Sequence, residues 1–170
     1  MNLKKLITSS MFLAIGAILH QITPPIFLGM KPDFLLAMMF ITIFVFDDYK
    51  LSLLVGAAAG VFTAATTSFP GGQIANIIDK IVTANCIYFL YKVFKNSLNV
   101  NINVALISFI GTVISGAIFL GCAGIIAGLP GPFFALMISV VIPAAAVNTV
   151  TTLVFYRIVH TAMRLSYRQS

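Results

Sequence analysis

The chain has 170 residues, 60% of them hydrophobic, and its only charged side chains are ten Lys and Arg and four Asp, 8% of the total. Soluble domains carry about 25% charged residues. So sparse a charge, with a mean hydropathy of +1.07, excludes a water-soluble enzyme, a coiled coil and a disordered chain and leaves an integral membrane protein, in which a pI of 9.6 does not imply nucleic acid.

A membrane-crossing helix needs roughly 20 mostly apolar residues. Six stretches are candidates, at about 3–21, 34–46, 51–69, 76–94, 102–127 and 133–156, the second of them short and able to begin near Pro32. They are continuous rather than alternating, which argues against a barrel. With no loop long enough for a second domain, the expectation is one all-α domain over 1–170, a six-helix membrane bundle.

In the first stretch Lys4 and Lys5 precede the apolar run, but the small triplet Ala14-Ile15-Gly16 lies inside it, so the segment reads as a retained helix and not a cleaved signal. His20, near its far end, suits an interfacial hydrogen bond or, as the alternative, contact with a ligand. The connection Pro24-Pro25-Ile26-Phe27-Leu28-Gly29-Met30-Lys31-Pro32-Asp33 cannot continue a helix. Asp33 there is suited to cap helix two or to meet a ligand. Lys31 faces either water or the same ligand.

Asp47 and Asp48, beside Lys50, read as solvated loop charges. Helix three carries Gly56-x-x-x-Gly60 followed by Thr63 and Thr67, a small-residue stripe that permits close helix approach. Next comes Phe69-Pro70-Gly71-Gly72-Gln73. Pro then Gly specifies a type II turn, and its backbone N–H groups can hold a carboxylate. Helix four is expected from about Asn76. At 100° per residue, Asn76, Asp79, Lys80 and Thr83 share a stripe about 100° wide.

A charge at membrane depth costs about 3 kcal/mol on insertion scales, and a buried ion pair is a poor stabiliser alone. Asp79 and Lys80 therefore point to a ligand site in the bundle interior; the alternative is an ion pair that only steadies packing. Helix five repeats the small-residue theme at Gly111, Ser115, Gly116, Gly121 and Gly124 and is long enough to tilt or break. After Gly128-Leu129-Pro130-Gly131-Pro132 come Phe133 and Phe134, which with Phe27 and Phe69 offer an apolar wall. Pro143 is expected to kink helix six, with Asn148, Thr149, Thr151 and Thr152 satisfying freed backbone or neighbouring helices. Cys86 and Cys122 lack metal-ligand spacing and read as core residues.

Six spans put both termini on one side. Lys4, Lys5, Lys50, Lys92, Lys95, Arg157, Arg164 and Arg168, eight of the ten basic residues, then share one face, which the positive-inside rule makes cytoplasmic. The outer half keeps Lys31, Asp33, Asp79 and Lys80. Both signs together suit a zwitterion, Lys meeting a carboxylate and Asp an ammonium, with an apolar wall for a large side chain. No motif for a nucleophile, a zinc site or a P-loop is present, so no enzyme activity and no cofactor is expected.

Met30-Lys31-Pro32-Asp33, the run Phe69-Pro70-Gly71-Gly72-Gln73-Ile74 and the following Asn76-Ile77-Ile78-Asp79-Lys80 resemble the bacterial tryptophan transporter family, related to the substrate-binding S components of energy-coupling-factor (ECF) transporters. The resemblance implies a plasma-membrane protein that takes tryptophan from outside. Its implied binding residues are Lys31, Asp33, Phe69, Gly71, Gly72, Gln73, Asn76, Asp79, Lys80 and Thr83. It also implies a membrane coupling subunit and two ATPase subunits as partners, docked on small residues of helix one. Ser10 and Ala14 stand where an Ala-x-x-x-Ala pattern is typical. An S component for another small molecule, such as a vitamin, and a membrane scaffold without ligand are the competing expectations.

Overall fold

A computed structural model describes residues 2–23, 32–97 and 99–168. Its helices are α1 (Leu3–Ile22), α2 (Phe34–Phe46), α3 (Tyr49–Thr66), α4 (Gly72–Phe94), α5 (Val100–Ile126), α6 (Phe133–Leu136) and α7 (Ile142–Arg168), with a π turn (Met137–Val141) joining the last two into one rod. Among the described residues there is no strand. Leu3–Ile22, Tyr49–Thr66, Val100–Ile126 and Phe133–Leu165 are each long and apolar enough to cross a membrane.

The centre of the bundle is α2. Every residue from Leu35 to Phe44 is buried, because the helix is apolar all round and has no face to give to a polar surface. It packs against α1, α3, α4, α5 and α7. Leu36, Phe40, Ile43 and Phe44 join Leu13 of α1, Val55 of α3, Ile87 of α4 and Ile107 of α5 in one core. The Asp33 carboxylate caps α2 by accepting the Leu36 N–H at 3.0 Å.

Two residues turn α2 into α3. Asp47 closes α2 in the left-handed region (φ 46, ψ 44), and Asp48 caps α3 by accepting the Leu51 N–H. Both carboxylates are paired: Lys92 and Lys95 reach Asp47 at 2.8 and 2.6 Å, and Lys5 lies 3.5 Å from Asp48. These residues define the charged end of the bundle.

The Gly56/Gly60 pair serves contact within the chain. A Cβ on Gly56 would lie 2.6 Å from Ala84 Cβ and 2.9 Å from the Lys80 carbonyl, and one on Gly60 would lie 3.0 Å from Ile77 Cα. Backbone contact of α3 with α4 therefore sets where Lys80 sits.

Helix four begins at Gly72, four residues earlier than expected. The turn is type II, with Gly71 at φ 69, ψ 3 and the Gly72 N–H donating to the Phe69 carbonyl at 2.9 Å. Its last residue is already helical, so the helix runs back through Gln73. Helix five is unbroken over its 27 residues. In the last rod, the π turn lies just before Pro143, and the Ile142 N–H donates to Met137 five residues back. Proline lacks an N–H and its ring crowds the carbonyl four residues earlier, and the wider turn accommodates both.

A mixed-charge cavity as the candidate functional site

At the end of the bundle away from Asp47 and Asp48, all the long helices contribute to a cavity of about 460 Å³. Small-molecule sites span roughly 300–1,000 Å³. Its polar side is built on the start of α2 and the first three turns of α4. The stripe predicted on α4 is buried: Asp79 is 1% exposed, Lys80 3%, and Asn76 and Thr83 are buried with them. Close approach of α3 on one side and of Ser115 from α5 on another drives that burial.

The ions are not equivalent. Lys80 Nζ lies 2.6 Å from Asp79 Oδ2 and 3.4 Å from Asp33 Oδ2, and donates to Ser115 Oγ at 3.3 Å. Both oxygens of buried Asp79 are engaged within the protein, because Thr83 donates to its Oδ1 at 2.9 Å and Ser115 to its Oδ2 at 2.8 Å. Asp33 keeps an open face, with 24% of its side chain exposed. Its Oδ1 lies 3.7 Å from His20 Nδ1, and its backbone N–H donates to Asn148 Oδ1 at 2.8 Å. Two carboxylates thus share one lysine, and the one facing the cavity holds the weaker share.

The rest of the wall is apolar. The rings of Phe69 and Phe119 meet edge to face at 5.4 Å. Leu136, Val140 and Val141 of the last rod also line it. Val141 is seated against Gly116, where a Cβ would come within 2.5 Å of its side chain. Thr63, Thr66 and Thr67 close the wall at the end of α3.

Of the residues proposed from sequence, Asp33, Phe69, Asn76, Asp79 and Lys80 line this cavity. Thr83 lies deeper and reaches it through Asp79. Gly71 and Gly72 form the turn that carries Phe69, while Gln73 is exposed and does not line the cavity. Lys31 and Phe27 lie outside the described residues. Phe133 and Phe134 meet edge to face at 5.7 Å and are not among the cavity's lining residues, and Phe119 supplies the second ring instead. Ser10 and Ala14 are exposed on α1, on the side away from buried Ser9, Leu13 and Gly16.

Ser115, Phe119 and the α3 threonines carry a larger part than their sequence context suggests. Ser115 sits in a stripe of small residues, where a packing role is the natural reading. Its hydroxyl position, one helix over from Asp79, is a tertiary fact.

The chain matches the family model described as "Tryptophan transporter TrpP" over residues 2–164. It belongs to the tryptophan transporter family. A protein of Clostridium acetobutylicum named "Probable tryptophan transport protein" is 50% identical over 169 residues, covering 99% of both chains. Proteins of the same name from Clostridium perfringens and Bacillus subtilis are 47% and 45% identical, each over at least 95% of both chains. No solved structure matches the chain. Membership of a transporter family agrees with the several apolar helices of a multi-pass membrane protein.

Proposed function

We propose that the chain is a tryptophan-capture protein of the bacterial plasma membrane, with one domain over 1–170, six spans, both termini inside, and the cavity facing out. Its relatives' names supply the substrate, and the concentration of basic residues at the Asp47/Asp48 end supports the orientation. The observation that carries the reading is the cavity itself, which has a two-carboxylate, one-lysine cluster at one side and an edge-to-face phenylalanine pair at another. A zwitterion with a large aromatic side chain complements both.

The substrate ammonium goes to Asp33, which has the open face, rather than to Asp79, which is buried and bonded at both oxygens to Thr83 and Ser115. As it arrives it relieves Lys80 of one carboxylate, and Lys80 turns its remaining attraction to the substrate carboxylate. Asn76 lies on the same side of the cavity, with Gly71, Gly72 and Gln73 at the adjoining turn and Thr83 beneath as support for Asp79. Lys31 belongs to the same set by sequence alone, two residues before Asp33. Coupling follows the ECF scheme: a membrane subunit docks on the exposed Ser10 and Ala14 side of α1, and its ATPase subunits provide the energy.

The chain contains no Trp, so added tryptophan is the only indole fluorophore in a purified sample. Saturable, blue-shifted emission on titration, lost in Lys80→Met, is the expected result. Absence of any saturable shift in folded protein refutes the proposal.

A further inference from the structure

A site for tryptophan must separate indole from the plain phenyl ring, and the chemical difference is one N–H donor on the flank of the ring. The wall beside Phe69 has groups of matching chemistry. Thr63 Oγ1 donates to the carbonyls of Ala59 at 2.9 Å and Gly60 at 3.1 Å. Thr66 Oγ1 donates to Phe62 at 3.0 Å, with Thr63 at 3.4 Å. A hydroxyl has a single hydrogen, and in both residues it is spent on the helix's own backbone. Each oxygen is left as an acceptor, and both residues line the cavity. Three residues apart on a helix, they fall on one face.

Thr67 has a different duty. Its Oγ1 accepts the Phe69 N–H at 3.3 Å, which holds the ring of Phe69 at the cavity edge against Phe119. An aromatic pair thus stands beside two hydroxyls that accept but have no proton to give. Indole N–H is a donor only. Phenylalanine has no donor to offer, and tyrosine carries its donor at the far tip of the ring.

We propose that Thr63 and Thr66 are the residues that select indole, by accepting its ring N–H while the ring lies against the wall formed by Phe69 and Phe119. The selection rests on the tryptophan reading above and adds to it a specific contact. It is distinct from the ion cluster, which reads only the amino-acid head shared by all candidates.

The test uses the intact protein in detergent micelles and two ligands of almost the same shape: tryptophan, and 3-benzothienylalanine, in which sulfur replaces the ring N–H. Affinities are measured by calorimetry for the wild type and for Thr63→Val, Thr66→Val and the double variant. Thr63 is buried and Thr66 exposed, and one hydrogen bond lost at the buried acceptor corresponds to about a tenfold change. The wild type should favour tryptophan over the sulfur analogue by at least that factor. The double variant should bind the analogue as the wild type does and lose its preference for tryptophan. Thr63→Ser and Thr66→Ser, which keep the hydroxyl, should retain the preference. Undiminished preference in the double variant overturns the selection role and leaves the tryptophan reading standing, as does a wild type that binds both ligands equally. A wild type that binds neither overturns both. Binding of the analogue by each valine variant also shows that it is folded.

Discussion

Lys80 Nζ lies 3.4 Å from Asp33 and 2.6 Å from Asp79, so two carboxylates from different helices share one ammonium unequally. The closer one is buried and also bonded to Thr83 and Ser115. The other opens to the cavity. This difference divides the cluster into a part that holds lysine in place and a part free to meet a ligand, and mutation should separate the two.

Asp33→Asn keeps a side chain able to cap α2, so the fold should be close to intact. Loss of a charged hydrogen-bond partner for the substrate ammonium should weaken binding roughly 10–100-fold. Asp79→Asn instead leaves a buried ammonium without its near counter-charge, at a cost of about 3–5 kcal/mol. Thermal unfolding in detergent, beside tryptophan titration, checks both. Equal melting temperatures for Asp79→Asn and wild type would remove Asp79 from its structural role.

Gly56→Ala should be costly. Its new Cβ meets Ala84 Cβ at 2.6 Å and the Lys80 carbonyl at 2.9 Å, so α3 and α4 must part. Overpacking of this kind costs about 1–3 kcal/mol, and a shift at Lys80 should weaken ligand binding as well. Gly121→Ala is the contrast, with no atom within 4 Å of the new Cβ and an interior helix position. It should stabilise the protein by up to about 1 kcal/mol through helix propensity. Melting temperatures of the two variants should move in opposite directions.

Ser108 Oγ and Thr152 Oγ1 are fully buried and have no hydrogen-bond partner. An unmet hydroxyl in an interior costs about 1–3 kcal/mol. Ser108→Ala and Thr152→Val remove the polar atom with little change of shape, and each should raise the melting temperature. A fall in both would mean that the hydroxyls are bonded in the membrane.

At the charged end, Asp47 titrates below the ordinary carboxylate range. Burial pushes it up, but the hydrogen bonds from Lys92 and Lys95 outweigh that. Asp48 is lowered too, first by the Leu51 N–H that it accepts and then by Lys5. A carboxyl whose folded value is depressed contributes stability that is fully present above its unfolded value of about 3.9 and is lost as pH falls through the folded one. Stability should hold from pH 7 to about 5 and drop below about 4. Asp47→Asn, which tolerates the left-handed backbone there, should flatten part of that drop in a pH series of melting curves.

Helix positions were readable from the sequence because membrane-length apolar runs admit few other solutions. Starts and ends agree within a few residues where proline, glycine or aspartate punctuates the chain, as at Asp33, Asp48 and Pro132. The stripe from Asn76 to Thr83 was readable from helical period alone. What could not be read was long-range. A 13-residue α2 reads as a short span, and only its surroundings reveal it as the buried axis of the bundle. The sequence around Ser115 and Asn148 signals packing and backbone repair, yet they meet Asp79 and Asp33, 36 and 115 positions away. Contacts of that separation leave no local pattern to find.

The aromatic wall of the cavity is built from Phe69 and Phe119, and the chain holds no tryptophan anywhere. Translation of its message therefore never waits on a tryptophan-charged tRNA. A cell starved of this amino acid can complete every copy of the protein that the proposed function assigns to its uptake.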